Sequence, residues 1–182
     1  ILVTGGLGFI GSHTTVELVN SGYNVIIFDN LSNSKIEVLD KLYNLCDKNK
    51  ITFLQGNILN NDDLDKIKHL NINTVIHFAA FKSVSESIKL PLSYYENNIT
   101  ELIMLLQKCK EFSIKNIIFS SSATVYGDSL SPLYETSNVG VGITNPYGQT
   151  KFMNEQILKD FSVSEKEFNI ILKMGNTKIP SL

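Results

Sequence analysis

The stretch that decides the fold is Thr4-Gly5-Gly6-Leu7-Gly8-Phe9-Ile10-Gly11. It follows a short apolar run, Ile1–Val3, and opens a segment of helical spacing, Ile10–Ser21. A turn this rich in glycine avoids Cβ clashes and lets backbone N–H groups at a helix N-terminus approach an anion. Gly6, Gly8 and Gly11 fit G-x-G-x-x-G, while Gly5, Gly8 and Gly11 recur at a three-residue spacing. Glycines alone also mark plain turns. Here they sit between a strand and a helix, and the next apolar run, Asn24–Phe28, ends on the acidic Asp29 followed by Asn30. A carboxylate at the end of a second strand accepts hydrogen bonds from ribose hydroxyls and repels a 2′-phosphate. The competing reading of Asp29-Asn30 is an ordinary turn. Together the loop and Asp29 point to a dinucleotide, and to NAD rather than NADP.

Working outward, Ile51–Leu54, Thr74–His77, Asn116–Ser120 and Asn169–Leu172 read as further short buried strands. Lys35–Cys46, Asp62–His69, Pro91–Lys110 and Pro146–Phe161 read as helices, with Asp62-Asp63 and Pro146 placed where first turns favour them. Alternation of this kind predicts an α/β, Rossmann-like, doubly wound parallel sheet with helices on both faces, and one domain over 1–182. Ligands of such sheets bind beyond the carboxyl ends of the strands. Gly56-Asn57-Ile58 after the third strand and Phe78-Ala79-Ala80-Phe81 after the fourth are therefore candidate cofactor contacts, the small residues allowing close backbone approach.

The fifth strand runs into Ser120-Ser121-Ser122, and Tyr147 and Lys151 stand four residues apart on a later helix, hence on one face. A phenol is a weak base at neutral pH, but a neighbouring ammonium favours phenolate, and a serine hydroxyl can share the proton with a substrate alcohol.

Composition narrows the classes. The 182 residues are 43% hydrophobic and 19% charged, as in an ordinary globular protein. A net charge of −2 offers no basic face for nucleic acid or an anionic membrane, and no apolar run approaches bilayer length. The basic side chains are all Lys, so a diphosphate would be held by backbone N–H groups more than by bidentate forks. Cys46 and Cys109 lack metal or disulfide spacing and read as reduced thiols, with no metal site. His13 reads as packing or capping and His77 as a satisfied core histidine. The chain starts at Ile1 without a Met, which leaves room for an address segment ahead of it; on its own content the location reads as cytoplasmic.

The segments TGGLGFIGSHT, IIFDNLSNS, TVIHFAAFKSVSESIKLPLSYYENN, IIFSSSATVYGD and NPYGQTKFMNEQIL resemble the extended short-chain dehydrogenases, and within them the UDP-glucose 4-epimerases. The resemblance runs from the first residue to about Leu158. It implies bound NAD and interconversion of UDP-glucose and UDP-galactose through a transient 4-keto sugar. It implies that Tyr147 is the base, that Lys151 lowers its pKa and contacts the nicotinamide ribose, and that Ser122 orients the sugar hydroxyl. Gly5, Gly8, Phe9, Ile10, Gly11, Asp29, Asn30, Asn57, Ile58, Phe78, Ala79, Ala80, Lys82, Asn97 and Ser120 would serve the cofactor, with Tyr147 and Lys151. Ser122, Ala123, Thr124 and Tyr147 would serve the sugar. Related 4,6-dehydratases carry an Asp-Glu pair where this chain has Ala123-Thr124.

Three departures stand against the pattern. Asn57 replaces an Asp expected to hold the adenine amino group, and Glu101 replaces a small residue. After the sixth strand the family's Arg-Tyr-Phe-Asn becomes Lys173-Met174-Gly175-Asn176. The expectation is an N-terminal portion that lacks the C-terminal sugar-nucleotide domain, with little or no turnover from 1–182 alone. A non-catalytic dinucleotide-binding module and another extended dehydrogenase acting on a nucleotide sugar are the alternatives. A homodimer through Leu102–Leu106 and Phe152–Leu158 is a further expectation, unless those residues are core.

Overall fold

The computed structural model describes residues 1–173; the comparison at Met174-Gly175-Asn176 lies outside them. Six strands, β1 (Leu2–Thr4), β2 (Val25–Asp29), β3 (Ile51–Gln55), β4 (Thr74–His77), β5 (Asn116–Ser120) and β6 (Asn169–Lys173), form one sheet in the order β3-β2-β1-β4-β5-β6. This is the Rossmann-like parallel order, whose direction reverses between β1 and β4. The register is parallel, with Val3 opposite Ile27 on one side and Ile76 on the other. The helices are α1 (Phe9–Asn20), α2 (Glu37–Leu45), α3 (Asn61–Asp65), α4 (Val84–Lys89), α5 (Pro91–Glu111) and α6 (Pro146–Ser164).

The chain divides into two compact units, Ile1–Ala80 with Met104–Ile118, and Phe81–Ile103 with the chain from Phe119 on. In the first unit the core is formed by Val3, Leu7, Val19, Val25, Ile27, Leu39, Leu42, Ile51 and Ile76. Val3, Val25, Ile27, Ile51 and Ile76 come from the apolar strand runs, and Leu7, Val19, Leu39 and Leu42 come from the glycine loop, α1 and α2. The predicted strands match to within a residue or two. The helix expected over Asp62–His69 is shorter, because Asn60 caps Asp62 and Asp63 and the α-helix gives way after Asp65. The short α4, capped by Ser83 onto Glu86 N, went unread; six residues are too few for a helical period to show.

Helix α5 shows how burial is spaced. Tyr94, Asn97, Asn98, Glu101, Leu102, Leu105, Leu106 and Cys109 are all buried and follow the i, i+3, i+4, i+7 stripe. The stripe is polar at its N-terminal end and apolar at its C-terminal end. Leu102, Leu105 and Leu106 are thus core, as is Leu158 on α6, while Ile103 and Met153 are exposed. Cys109 is buried, which pushes its thiol up to about 12, and Cys46 is part-buried with Sγ on Leu42 O; both are free thiols.

Candidate functional site

In the first unit, β1 feeds the glycine loop directly. Gly5 has φ +65°, and a Cβ built on it would lie 2.8 Å from Ala79 N and 2.9 Å from Ala79 Cα. A Cβ on Gly11 would lie 2.3 Å from Gly5 O. The loop is therefore packed against the end of β4 and against its own helix, with space for backbone only. Gly8 caps α1 with no side-chain hydrogen bond, and the first turn of α1 holds no acidic residue. That leaves the positive end of the helix uncompensated by side chains, which suits an anion. Phe9 and Ile10 are exposed there, and His13 packs over the Phe9 ring with Nδ1 on Phe9 O at 2.7 Å, a contact within the helix.

Asp29 is buried at the end of β2. Its Oδ2 accepts from Leu7 N (3.0 Å), and its Oδ1 accepts from Leu31 N (2.9 Å) and Ser34 Oγ (2.8 Å). The carboxylate pins the glycine loop and its own turn, where Leu31 has φ +60°. A carboxylate offers about four acceptor sites, so these three bonds leave capacity for a ribose hydroxyl. Asn30 Oδ1 accepts from Ser32 N. Asn57 Oδ1 closes a turn onto Leu59 N at 3.0 Å, while its own N–H donates to Asp63 Oδ2 at 2.9 Å. The acceptor that would meet an adenine amino group is thus already engaged, and Ile58 is core. Phe78 N donates to Thr4 O, and His77 Nδ1 pairs with Thr4 Oγ1 at 2.8 Å, a satisfied core histidine. Ala79 and Ala80 are half-buried.

In the second unit, the strand end and helix α6 build a separate cluster. Asn145 caps α6 by accepting from Gly148 N at 2.8 Å, and Pro146 takes the first helical position, so the sequence fixes where Tyr147 stands. Ser122 caps the short helix Ala123–Tyr126 and accepts from Thr124 Oγ1 at 3.0 Å. Burial raises the Tyr147 phenol pKa above its ordinary value, and a hydrogen bond with Ser122 opposes the rise. Lys151 stands one turn further along α6. Its Nζ donates to Ser120 O at 2.8 Å and lies 4.7 Å from the centre of the Phe119 ring. Ser122 thus acts on the phenol in the direction that favours the phenolate. Lys151 is itself buried, which brings its ammonium down to about 8 against the pull of Glu101 and Glu155.

Of the remaining expected residues, Asn97 is buried on α5 and bonds Asn98 Oδ1, whereas Lys82, Ala123 and half-buried Thr124 lie toward solvent. The stretch after Lys82 is anchored by Tyr94, whose hydroxyl accepts from Ser83 N and donates to Glu86 Oε2.

Sequence reasoning missed Asn98, Thr150, Asn154 and Glu155. Asn98 Oδ1 accepts from Phe81 N (2.8 Å), and its Nδ2 donates to Phe81 O (3.0 Å) and Thr150 Oγ1 (3.0 Å). Asn154 Nδ2 donates to Asn98 O at 3.0 Å, and Ser121 donates a short hydrogen bond to Glu155. A usable signal was present. Tyr147, Thr150, Lys151, Asn154, Glu155 and Leu158 occupy one helical stripe, so polar residues fill positions where a core helix is apolar. Replacing Asn98 with Leu strands the Phe81 N–H and C=O without partners and removes the bond to Thr150 Oγ1. Thr150 Oγ1 keeps its bond to Tyr147 O, so the cost, expected at about 2–4 kcal/mol in urea unfolding, falls on the Phe81 pair; a loss below about 1 kcal/mol would deny Asn98 this role.

A family model described as GDP-mannose 4,6 dehydratase matches residues 2–181. The UDP-glucose 4-epimerase of Bacillus subtilis is 47% identical over 174 residues, which make up 94% of this chain and 50% of that protein. That of Pasteurella multocida is 49% identical over 174 residues, 94% of this chain and 51% of its own. Among solved structures, the UDP-glucose 4-epimerase of Bifidobacterium longum, in complex with NAD+ and UDP, matches with a TM-score of 0.90 at 42% identity. It covers 94% of this chain and 51% of that one. The chain spans about half the length of the curated relatives it matches.

Proposed function

We propose, from the premise that this chain belongs to the family whose model is described as GDP-mannose 4,6 dehydratase, that it is the NAD-binding domain of a UDP-glucose 4-epimerase. The observation that carries the reading is the conjunction of a backbone-only glycine cradle in one unit with Ser122, Tyr147 and Lys151 in the other. The loop fits a dinucleotide, since its close packing against the β4 end and its own helix, which a side chain at Gly5 or Gly11 would break, leaves backbone N–H groups at an α1 N-terminus without a side-chain cap. Asp29 favours NAD over NADP by charge. The full set proposed for the cofactor is the one named from the sequence, with Asn57 contributing less than an Asp would.

When bound, NAD supplies a hydride acceptor and donor at sugar C4. The protein's own part is proton handling and orientation. As the C4 hydroxyl becomes a ketone, Tyr147 Oη takes its proton, and Ser122 Oγ shares that proton and holds the oxygen in place. With the sugar presenting its other face, Tyr147 would return the proton to the C4 oxygen. Lys151 keeps a positive charge at the end of β5, where it would hold the nicotinamide ribose.

The family description names a dehydratase, so that chemistry is the second reading to weigh. Loss of water between sugar C5 and C6 needs an acid and a base beside the ketone. Where the resemblance places the dehydratases' Asp-Glu pair, this chain has Ala123 and Thr124, neither of which titrates. Incubating UDP-galactose and NAD with the full protein that carries this sequence, then separating the sugar nucleotides, distinguishes the two. UDP-glucose without net NADH is the expected product; a 6-deoxy-4-keto sugar would replace the epimerase reading with the dehydratase one. A cytoplasmic homodimer completes the proposal, with exposed Ile103 and Met153 available on α5 and α6. A sedimentation profile that stays monomeric at all concentrations would remove the dimer.

A further inference from the structure

Helices α5 and α6 are tied together by two hydrogen bonds, Asn98 Nδ2 to Thr150 Oγ1 and Asn154 Nδ2 to Asn98 O. Glu101 lies one turn beyond Asn98 on α5, and Lys151 lies between Thr150 and Asn154 on α6. Both are nearly sealed from solvent, at 4% and 3% exposure. Glu101 Oε2 is buried without a hydrogen-bond partner among the described residues. A buried carboxylate with an open oxygen is costly unless a positive charge stands near it.

We propose that Glu101 is a positioning residue for Lys151: from α5 it supplies the buried negative charge that keeps the Lys151 side chain an ammonium, held on Ser120 O. The inference accounts for a residue that departs from the family pattern, and among the described residues Lys151 is the cation whose charge acts on Glu101. The groups around Lys151 are few. Glu101 faces it from α5, Glu155 and Tyr147 stand one turn away on α6, and β5 contributes the Ser120 carbonyl and the Phe119 ring. Glu155 is partly committed to Ser121, which leaves Glu101 the larger electrostatic partner. The two charges act on one another in the expected senses: Lys151 opposes the burial that lifts Glu101 to about 7, and Glu101 opposes the burial that brings Lys151 to about 8.

The purpose of the pair rests on the epimerase reading, in which Lys151 must be cationic beside the nicotinamide ribose. The test does not, because it needs neither cofactor nor sugar. The Lys151 Nζ resonance, identified by its loss in Lys151→Met, is followed by NMR against pH in the unmodified chain and in Glu101→Gln. The isosteric amide keeps the packing and removes only the charge. Its Lys151 midpoint is expected to fall by at least about one pH unit, a tenfold loss of proton affinity. Glu155→Gln is expected to lower it less, and Glu101→Asp to restore part of the loss. A Glu101→Gln midpoint within about 0.3 unit of the unmodified chain overturns the proposal. If that variant does not fold, coupling is read from the other side, since linkage is reciprocal. The Glu101 carboxyl-carbon midpoint must then rise in Lys151→Met, and a midpoint that stays put likewise overturns the proposal. Failure to bind NAD would bear on the functional reading alone.

Discussion

On the proposed epimerase reading, Tyr147→Phe in the full protein that carries this sequence is expected to lower interconversion of UDP-glucose and UDP-galactose by about 10²–10⁴-fold, the range for loss of a general acid–base group. The substitution removes one oxygen. The Asn145 cap, Pro146 at the first helical position and the Thr150 bond to Tyr147 O do not involve the phenol, so α6 keeps its place. NAD-induced stabilisation should survive, which separates lost chemistry from lost folding. Ser122→Ala should cost less, because it removes the group that counters burial on the phenol but leaves the phenol itself. Turnover within tenfold of the unmodified protein would show that another group takes the proton.

The second large effect belongs to the glycine loop. Gly5→Ala places a methyl carbon 2.8–2.9 Å from backbone atoms of Ala79, and does so at φ +65°, where a side chain is strained in any surroundings. Backbone cannot rotate aside as a side-chain tip can, so the loop or the β4 end must move. About 1–3 kcal/mol of stability should be lost from the conformation alone, and NAD-dependent stabilisation should vanish even where the chain remains folded. Retained NAD binding in a folded Gly5→Ala chain would mean that the cofactor does not use this loop. The same reasoning ranks Gly6→Ala as milder, since its nearest neighbour at 2.8 Å is a methyl group of Ile27.

Much of this was readable in the sequence because it rests on local rules. The glycine loop, the acidic end of β2 and the strand–helix alternation each have a short-range cause, and the strand boundaries came out close to those found. The residues that escaped notice depend on tertiary placement. Asn98 is one of several asparagines in the sequence, and nothing near it in the chain says that it will bind Phe81 and Thr150. Glu101 was visible only as an oddity until α5 placed it beside Lys151. Asp29 shows a further limit: its position was evident from the sequence, but its bonds to Leu7, Leu31 and Ser34 require the folded loop. The Tyr147–Lys151 spacing gave a shared helical face, yet not the direction of the ammonium, which turns to Ser120. Spacing fixes which face a side chain leaves from, and its partner is chosen by whatever packs against that face.

The most direct measurement is the thermal midpoint of the purified chain with NAD, with NADP and with neither. A ligand that binds the folded state stabilises it by about 2.7 kcal/mol at one hundred times its Kd, a shift well above scan error. The account predicts a clear rise with NAD and a smaller one with NADP, because the Asp29 carboxylate repels a 2′-phosphate. A folded, cooperatively melting chain whose midpoint does not move with saturating NAD would contradict it.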